Sequence, residues 1–264
     1  MHYEFMMWFT LVAKMAVTAL FVTVATIMAE RLGATVGGLI ATLPVSAGPV
    51  YVFLALDHDS SFISASALAS LALNTATAIF VTVYVFAAQR RSMWFSVSLA
   101  FVTWLAAVLA LGSVHWTASV AFVLNLVVFT ACTFLVQPFC LIPIPQTTRP
   151  WYDFALRAAL VASLVGVVVT LSFRIGPTGS GVLAVFPVIY TSIMLILHRR
   201  VGGPATAAVL ANAVPGLAGF GVALLTLHLT AVPIGSAAAL VAALGVAVTW
   251  NVIIYAIRRR QALA

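Results

Sequence analysis

The chain is poor in charge. Asp, Glu, Lys and Arg make up 6% of its 264 residues, against 64% hydrophobic, at a mean hydropathy of +1.20. A water-soluble domain carries about a quarter charged residues, so a soluble globular fold is excluded. Acids are scarcest, at five side chains, and none is expected inside a membrane span. A carboxylate proton relay or a charged sodium site is therefore not expected. His58, His115, His198 and His228 all fall at span ends. With only Cys132 and Cys140 present, neither a disulfide framework nor a metal site is indicated, and Cys132 is expected to pack as a small hydrophobe. The chain has no HExxH, no GxSxG, no P-loop and no paired carboxylates. No enzyme, catalytic residue, metal or cofactor is expected.

What the chain has is apolar runs of roughly 20 residues, the length a helix needs to cross a bilayer. We read an all-α polytopic membrane protein with nine spans, at 8–29, 35–56, 62–87, 93–112, 117–137, 153–173, 178–198, 204–228 and 233–257. The first run is too long for a cleavable signal, and Met1–Met7 holds no Lys or Arg. Arg31, Arg90, Arg91, Arg149, Arg199, Arg200 and Arg258–Arg260 occupy one set of loops. The other set holds Arg174 alone, with Glu4, Asp57 and Asp59. The positive-inside bias places the N-terminus outside and the C-terminus in the cytoplasm. The net charge of +7 is thus a matter of topology, and no nucleic-acid partner is implied. Ala/Val richness and Arg in place of Lys suggest a high-GC bacterium, hence its inner membrane.

The chain also repeats itself. Residues 8–54 and 151–197 agree at 13 of 47 positions without a gap, at an offset of 143. The rarer matches decide: Trp8 with Trp151, Arg31 with Arg174, Gly33 with Gly176, Thr35 with Thr178, Gly38 with Gly181 and Pro44 with Pro187, while Lys14 meets Arg157. Val102-Thr103-Trp104 and Val248-Thr249-Trp250 extend the match. Span 1 runs inward and span 6 outward, so spans 1–4 and 6–9 form inverted repeats. The organisation is 1–112, a connecting helix and cytoplasmic loop at 113–150, and 151–264. As an architecture this resembles inverted-repeat secondary transporters.

Spans 2 and 7 carry the helix-interrupting residues. In span 2 these are Pro44, Ser46, Gly48 and Pro49. Span 7 has Thr178-Gly179-Ser180-Gly181, Pro187, Tyr190, Thr191 and Ser192, with Gly176 just before it. A mid-span proline removes a backbone bond, and the freed groups must meet side chains, water or a solute. Hydroxyls re-satisfying the backbone are the alternative to a substrate site. Glycines opening a helix can also present amides to an anion. Asn74 and Asn212 are expected to face the interior, whereas Asn125 and Asn251 read as structural. The inverted geometry pairs Lys14 with Arg174 outside and Arg157 with Arg31 inside, with no carboxylate expected within a span to neutralise them. Snorkelling and helix capping also account for such cations.

These features imply a secondary transporter of a small solute, anionic rather than cationic, working by alternating access. The partners expected are that solute and membrane lipid, and a homo-oligomer is compatible with the sequence. A passive anion pore or a lipid flippase or scramblase is the rival reading.

Overall fold

A computed structural model describes residues 2–31, 46–142 and 152–263. Nine helices lie among them: α1 His2–Arg31, α2 Ala47–Asp57, α3 Ser60–Ala87, α4 Met93–Gly112, α5 Ala118–Val136, α6 Tyr152–Ala184, α7 Val188–Val201, α8 Gly203–Ile234 and α9 Ser236–Leu263, with a 3-10 turn at Gln137–Phe139. Loop residues with short polar side chains open three of them. Asp59, Ser92 and Thr117 accept the amides of Phe62, Phe95 and Val120, meeting donors that a helix start leaves bare. No strand occurs among the described residues. Seven helical stretches among them are long and apolar enough to cross a bilayer. The protein is therefore an all-helical, multi-pass membrane protein.

One of those stretches, Ala155–Val201, has 47 residues. Laid straight it would run about 70 Å, more than twice the hydrocarbon thickness. It does not run straight. Gly176 takes φ 67 inside α6, a left-handed conformation that glycine adopts without a Cβ clash. Arg200 Nη1 then lies 2.8 Å from Asp153 Oδ2, which requires the segment to return to the face where it began. The stretch thus folds back as a hairpin, and its returning arm is interrupted again at Val185-Phe186-Pro187.

α3 is the central helix, with 83% of its membrane window buried, against 11% for α1. It packs on α8, α4, α5 and α6, and α8 packs in turn on α9 and α5. α1 lies along α6, and α2 is set against α6 and α9. Two apolar clusters fill the interior. One is built on α2, the first half of α3, α6 and the second half of α8, the other on the remainder of α3 with α4, α5 and the start of α8. Cys132 is buried in the second.

Some boundaries differ from the expectation. α8 continues to Ile234 rather than ending near 228, so the Thr230–Pro233 break is part of the helix. The chain reverses instead at Gly235, with φ 82. α9 runs on through the basic tail to Leu263. Of the predicted linker 138–150, residues 143–150 lie outside the described residues, as do Pro44 and most of the first half of span 2.

Candidate functional site

The interior polar groups gather on one face of α3. Ser66, Ser70, Asn74 and Thr77 recur at helical spacing and are all buried. Ser70 Oγ donates to the Gly181 carbonyl at 2.7 Å. With its proton so used, Ser70 accepts from the Tyr51 hydroxyl at 2.6 Å. Thr77 Oγ1 donates to the Val185 carbonyl at 3.2 Å. Asn74 Nδ2 reaches the Leu217 carbonyl on α8 and Asn125 Oδ1 on α5, both at 3.2 Å. Asn125 donates in turn to the carbonyls of Leu71 and Ala121. One asparagine pair therefore ties α3, α5 and α8 together, and Asn125 is structural as expected. The close approach of α6 depends on Gly181: a Cβ there would stand 2.3 Å from the Ser66 carbonyl oxygen.

The interruption of span 7 abuts this face. α6 ends at Ala184, and Pro187, which has no amide hydrogen, precedes α7. Phe186 N–H bonds the Leu183 carbonyl at 3.1 Å and Val188 N–H the Phe186 carbonyl at 2.7 Å. The Pro187 carbonyl accepts from both the amide and the hydroxyl of Thr191, at 2.9 and 2.7 Å. Ser192 Oγ bonds the Ile189 carbonyl at 2.7 Å. Pro187, Tyr190, Thr191 and Ser192 are thus brought together, but the two hydroxyls serve their own helix.

Two polar groups beside the break are not used in this way. The Tyr190 hydroxyl makes no hydrogen bond with a described residue. Trp104, on α4, packs edge-on against Phe186 with centroids 5.1 Å apart and is 6% exposed. Its indole Nε1 finds no acceptor among the described residues. In a bilayer an unpaired buried N–H is expensive, so this donor is the strongest sign of an absent partner. Ser66 Oγ is likewise buried without one.

The cations are arranged otherwise than expected. Lys14 Nζ lies 2.5 and 2.6 Å from the two carboxylate oxygens of Asp57, the last residue of α2, and 5.9 Å from the Phe53 ring centroid. It does not form a bare cationic pair with Arg174, which is exposed and makes no ion pair with a described residue. At the other face Asp153, 3% exposed, lies in the first turn of α6 and holds Arg200. It stands two residues before the membrane-long stretch that begins at Ala155, at a span end rather than inside it. Burial of a cation in a low dielectric demands a counter-charge, and Asp57 and Asp153 supply it to Lys14 and Arg200. Arg157, half-buried one turn beyond Asp153, is engaged by neighbours. The Arg31 side chain lies outside the described residues.

Each charged end carries a histidine. His58 Nε2 is 2.8 Å from Ser172 Oγ. Since Ser172 donates to the Val169 carbonyl, His58 is the donor in that bond. Its ring stacks on Phe62 at 3.8 Å. Burial holds its pKa below the ordinary value, against the pull of Asp57 and Asp59. At the opposite end His198 Nδ1 meets the Tyr84 hydroxyl at 2.8 Å.

The remaining expected residues are dispersed. Asn212 bonds the Cys140 and Ala208 carbonyls, holding the segment after α5 onto α8 rather than joining Asn74. Ser46 immediately precedes α2, and Gly48 lines an apolar groove between α1, α2, α8 and α9. Sequence reasoning missed Ser66, Tyr51, Asp57, Asp153 and Trp104. The 66–70–74–77 spacing was a readable signal; nothing local marked the partners of the cations. No known protein family matches the chain, and neither a curated protein nor a solved structure does.

Proposed function

We propose that the chain is a secondary transporter of a small solute, working by alternating access across a bacterial inner membrane, with the N-terminus outside and the C-terminus in the cytoplasm. The observation that carries this reading is the unpaired Trp104 indole N–H at the interrupted span 7, beside carbonyls held by α3 hydroxyls. Such side-chain bonds can be exchanged for bonds to a solute without unwinding a helix. A donor without an acceptor calls for a solute that brings an acceptor oxygen, which favours a carboxylate or other oxyanion. The preference for anions rests on this donor and on exposed Arg174, because Lys14 and Arg200 are already compensated.

The packing supports nine spans in two inverted repeats, 1–112 and 151–264. α3 against α4 is matched by α8 against α9, α4 against α7 by α9 against α2, and α5 touches both α3 and α8. The ion pairs fall at related places without superposing: at the offset of 143, Lys14 corresponds to Arg157 and Asp57 to Arg200, while Asp153 falls opposite Thr10. Relative movement of the units around the span 7 break would open one face while the other stays tied.

Uptake into proteoliposomes across a panel of small organic and inorganic anions, with neutral and cationic controls, tests the reading. Saturable uptake of one class is expected, weakened by Trp104→Phe and Tyr190→Phe. No uptake of any solute, or uptake indifferent to both substitutions, refutes it. The groove that Gly48 lines favours a lipid flippase or scramblase as the second reading; dithionite quenching of labelled lipid in vesicles discriminates between the two.

A further inference from the structure

A groove of about 400 Å³ lies between α1, α2, α8 and α9. Its floor is apolar, formed by residues such as Ala223, Leu224 and Leu227 of α8, which are buried. Its rims, including Phe21 and Val241, are exposed on the bilayer side. The groove is therefore open to hydrocarbon rather than to water.

Its outer end is charged. Val17 and Thr18 line it one turn beyond Lys14, and Phe53, which also lines it, lies under the Lys14 ammonium. The Lys14–Asp57 pair thus stands at the outer mouth, with side chains 13% and 19% exposed. From Lys14 to Ala25, the deepest lining residue of α1, the helix rises about 16 Å, roughly the hydrocarbon depth of one leaflet. The region related to it by the repeat, between α6, α7, α3 and α4, is filled by the rings of Phe80, Phe101, Trp104 and Phe186. The groove is a place where one half lacks the aromatic filling of the other.

We propose that this groove holds one acyl chain of an outer-leaflet phospholipid with a zwitterionic, amine-bearing headgroup. Its phosphate would lie by Lys14 and its ammonium by Asp57. A lone anionic headgroup would compete with Asp57 for Lys14, whereas a zwitterion extends the ion pair. The site goes beyond the transport reading and stands whether or not the chain moves a solute.

Native mass spectrometry of the full chain, delipidated in detergent and offered phosphatidylethanolamine and phosphatidylglycerol in equal amounts, tests it. One phosphatidylethanolamine adduct is expected, favoured by about tenfold, a difference well resolved on the free-energy scale of binding. A Cβ added at Gly48 would have nothing within 4 Å, so Gly48→Phe fills the groove without a backbone clash and should abolish the adduct, while Gly48→Ala keeps it. Lys14→Gln combined with Asp57→Asn should keep the adduct but lose the headgroup preference. Equal binding of the two lipids by the unaltered chain, retention of detergent or free fatty acid alone, or an adduct unchanged by Gly48→Phe overturns the proposal. Should Gly48→Phe not fold, the thermal stability of the unaltered chain decides. A rise with phosphatidylethanolamine and not with phosphatidylglycerol supports the site; no rise overturns it.

Discussion

Trp104 and Trp250 occupy corresponding places in the sequence, each closing a Val-Thr-Trp triplet, and their indoles differ in one respect that can be measured. Trp250 Nε1 donates to the Pro215 carbonyl at 2.9 Å; Trp104 Nε1 is buried without a partner. Replacing either with Phe removes the same five-membered ring and its N–H. At Trp250 the change also leaves a carbonyl bare and loosens the ring's seat on Gly219, where a Cβ would lie 2.1 Å from the indole. At Trp104 it removes an unpaired donor, a relief of about 1–3 kcal/mol that offsets the loss of ring area. Trp104→Phe should therefore change stability by less than about 1 kcal/mol, and Trp250→Phe should cost about 2–3 kcal/mol. For a chain of this size that separates the two melting temperatures by roughly 4–10 °C, read by thermal unfolding in detergent. Burial alone predicts the opposite order, since Trp104 is 6% exposed and Trp250 is only half-buried. If Trp104→Phe costs as much as Trp250→Phe, Trp104 has a partner and the inference of an absent solute falls. The stable Trp104→Phe variant should still lose uptake.

Three further outcomes are expected. Lys14→Met and Asp57→Leu should each cost about 1–3 kcal/mol, below the 3–5 of a fully buried pair because both side chains keep some solvent contact; in a double-mutant cycle the pair should cost no more than either single change, and simple additivity would show that the two charges are not coupled. Gly181→Ala must displace α3 from α6 and should lower the melting temperature by several degrees, on the order of 2 kcal/mol, whereas Gly48→Ala, with open space at its Cβ, should be neutral or better; equal effects would mean that the crossing is not close. The pKa of His58 is held down by burial, so its neutral form belongs to the folded state. Stability should be whole above the unfolded value of about 6.5 and decline as pH falls below it through the lowered folded pKa, with the slope reduced in His58→Gln.

The membrane class and the rough places of the helices were legible because hydropathy is a property of windows, and a window of 20 residues averages over local detail. The polar stripe of α3 was half legible. Asn74 stood out as an amide in an apolar run, but Ser66 gains its meaning only from the i+4 spacing to Ser70. The ion pairs were not legible. Asp57 read as a loop marker and Asp153 drew no reading, since nothing local says that 43 residues separate Lys14 from its partner or that 47 separate Arg200 from Asp153. Those contacts exist only once the helices have packed. The end of α8 failed for a different reason. Pro233 disturbs the carbonyl four residues before it and does not by itself stop a chain; the reversal needs a residue able to take positive φ, which is Gly235.

The proposed repeat makes a sharper statement about which positions are constrained. Glycines and prolines match across the halves at 33 and 176, 38 and 181, and 44 and 187. In the second half they sit where the backbone needs them: Gly176 at a positive φ, Gly181 at the α3 crossing, Pro187 at the break. The charges match in place but not in sign. Where the first half sets Asp57 against Lys14, the second has Arg200 at the place of Asp57, and its acid moves one turn back from Arg157 to Asp153. A requirement for positive charge as such would have kept Lys14 and Arg200 free of carboxylates. What both halves retain instead is a closed ion pair between two helices. That selects for the fastening of helix ends, and under the transport reading it points solute chemistry deeper, to the interrupted helix where Trp104 and Tyr190 have no hydrogen-bond partner among the described residues.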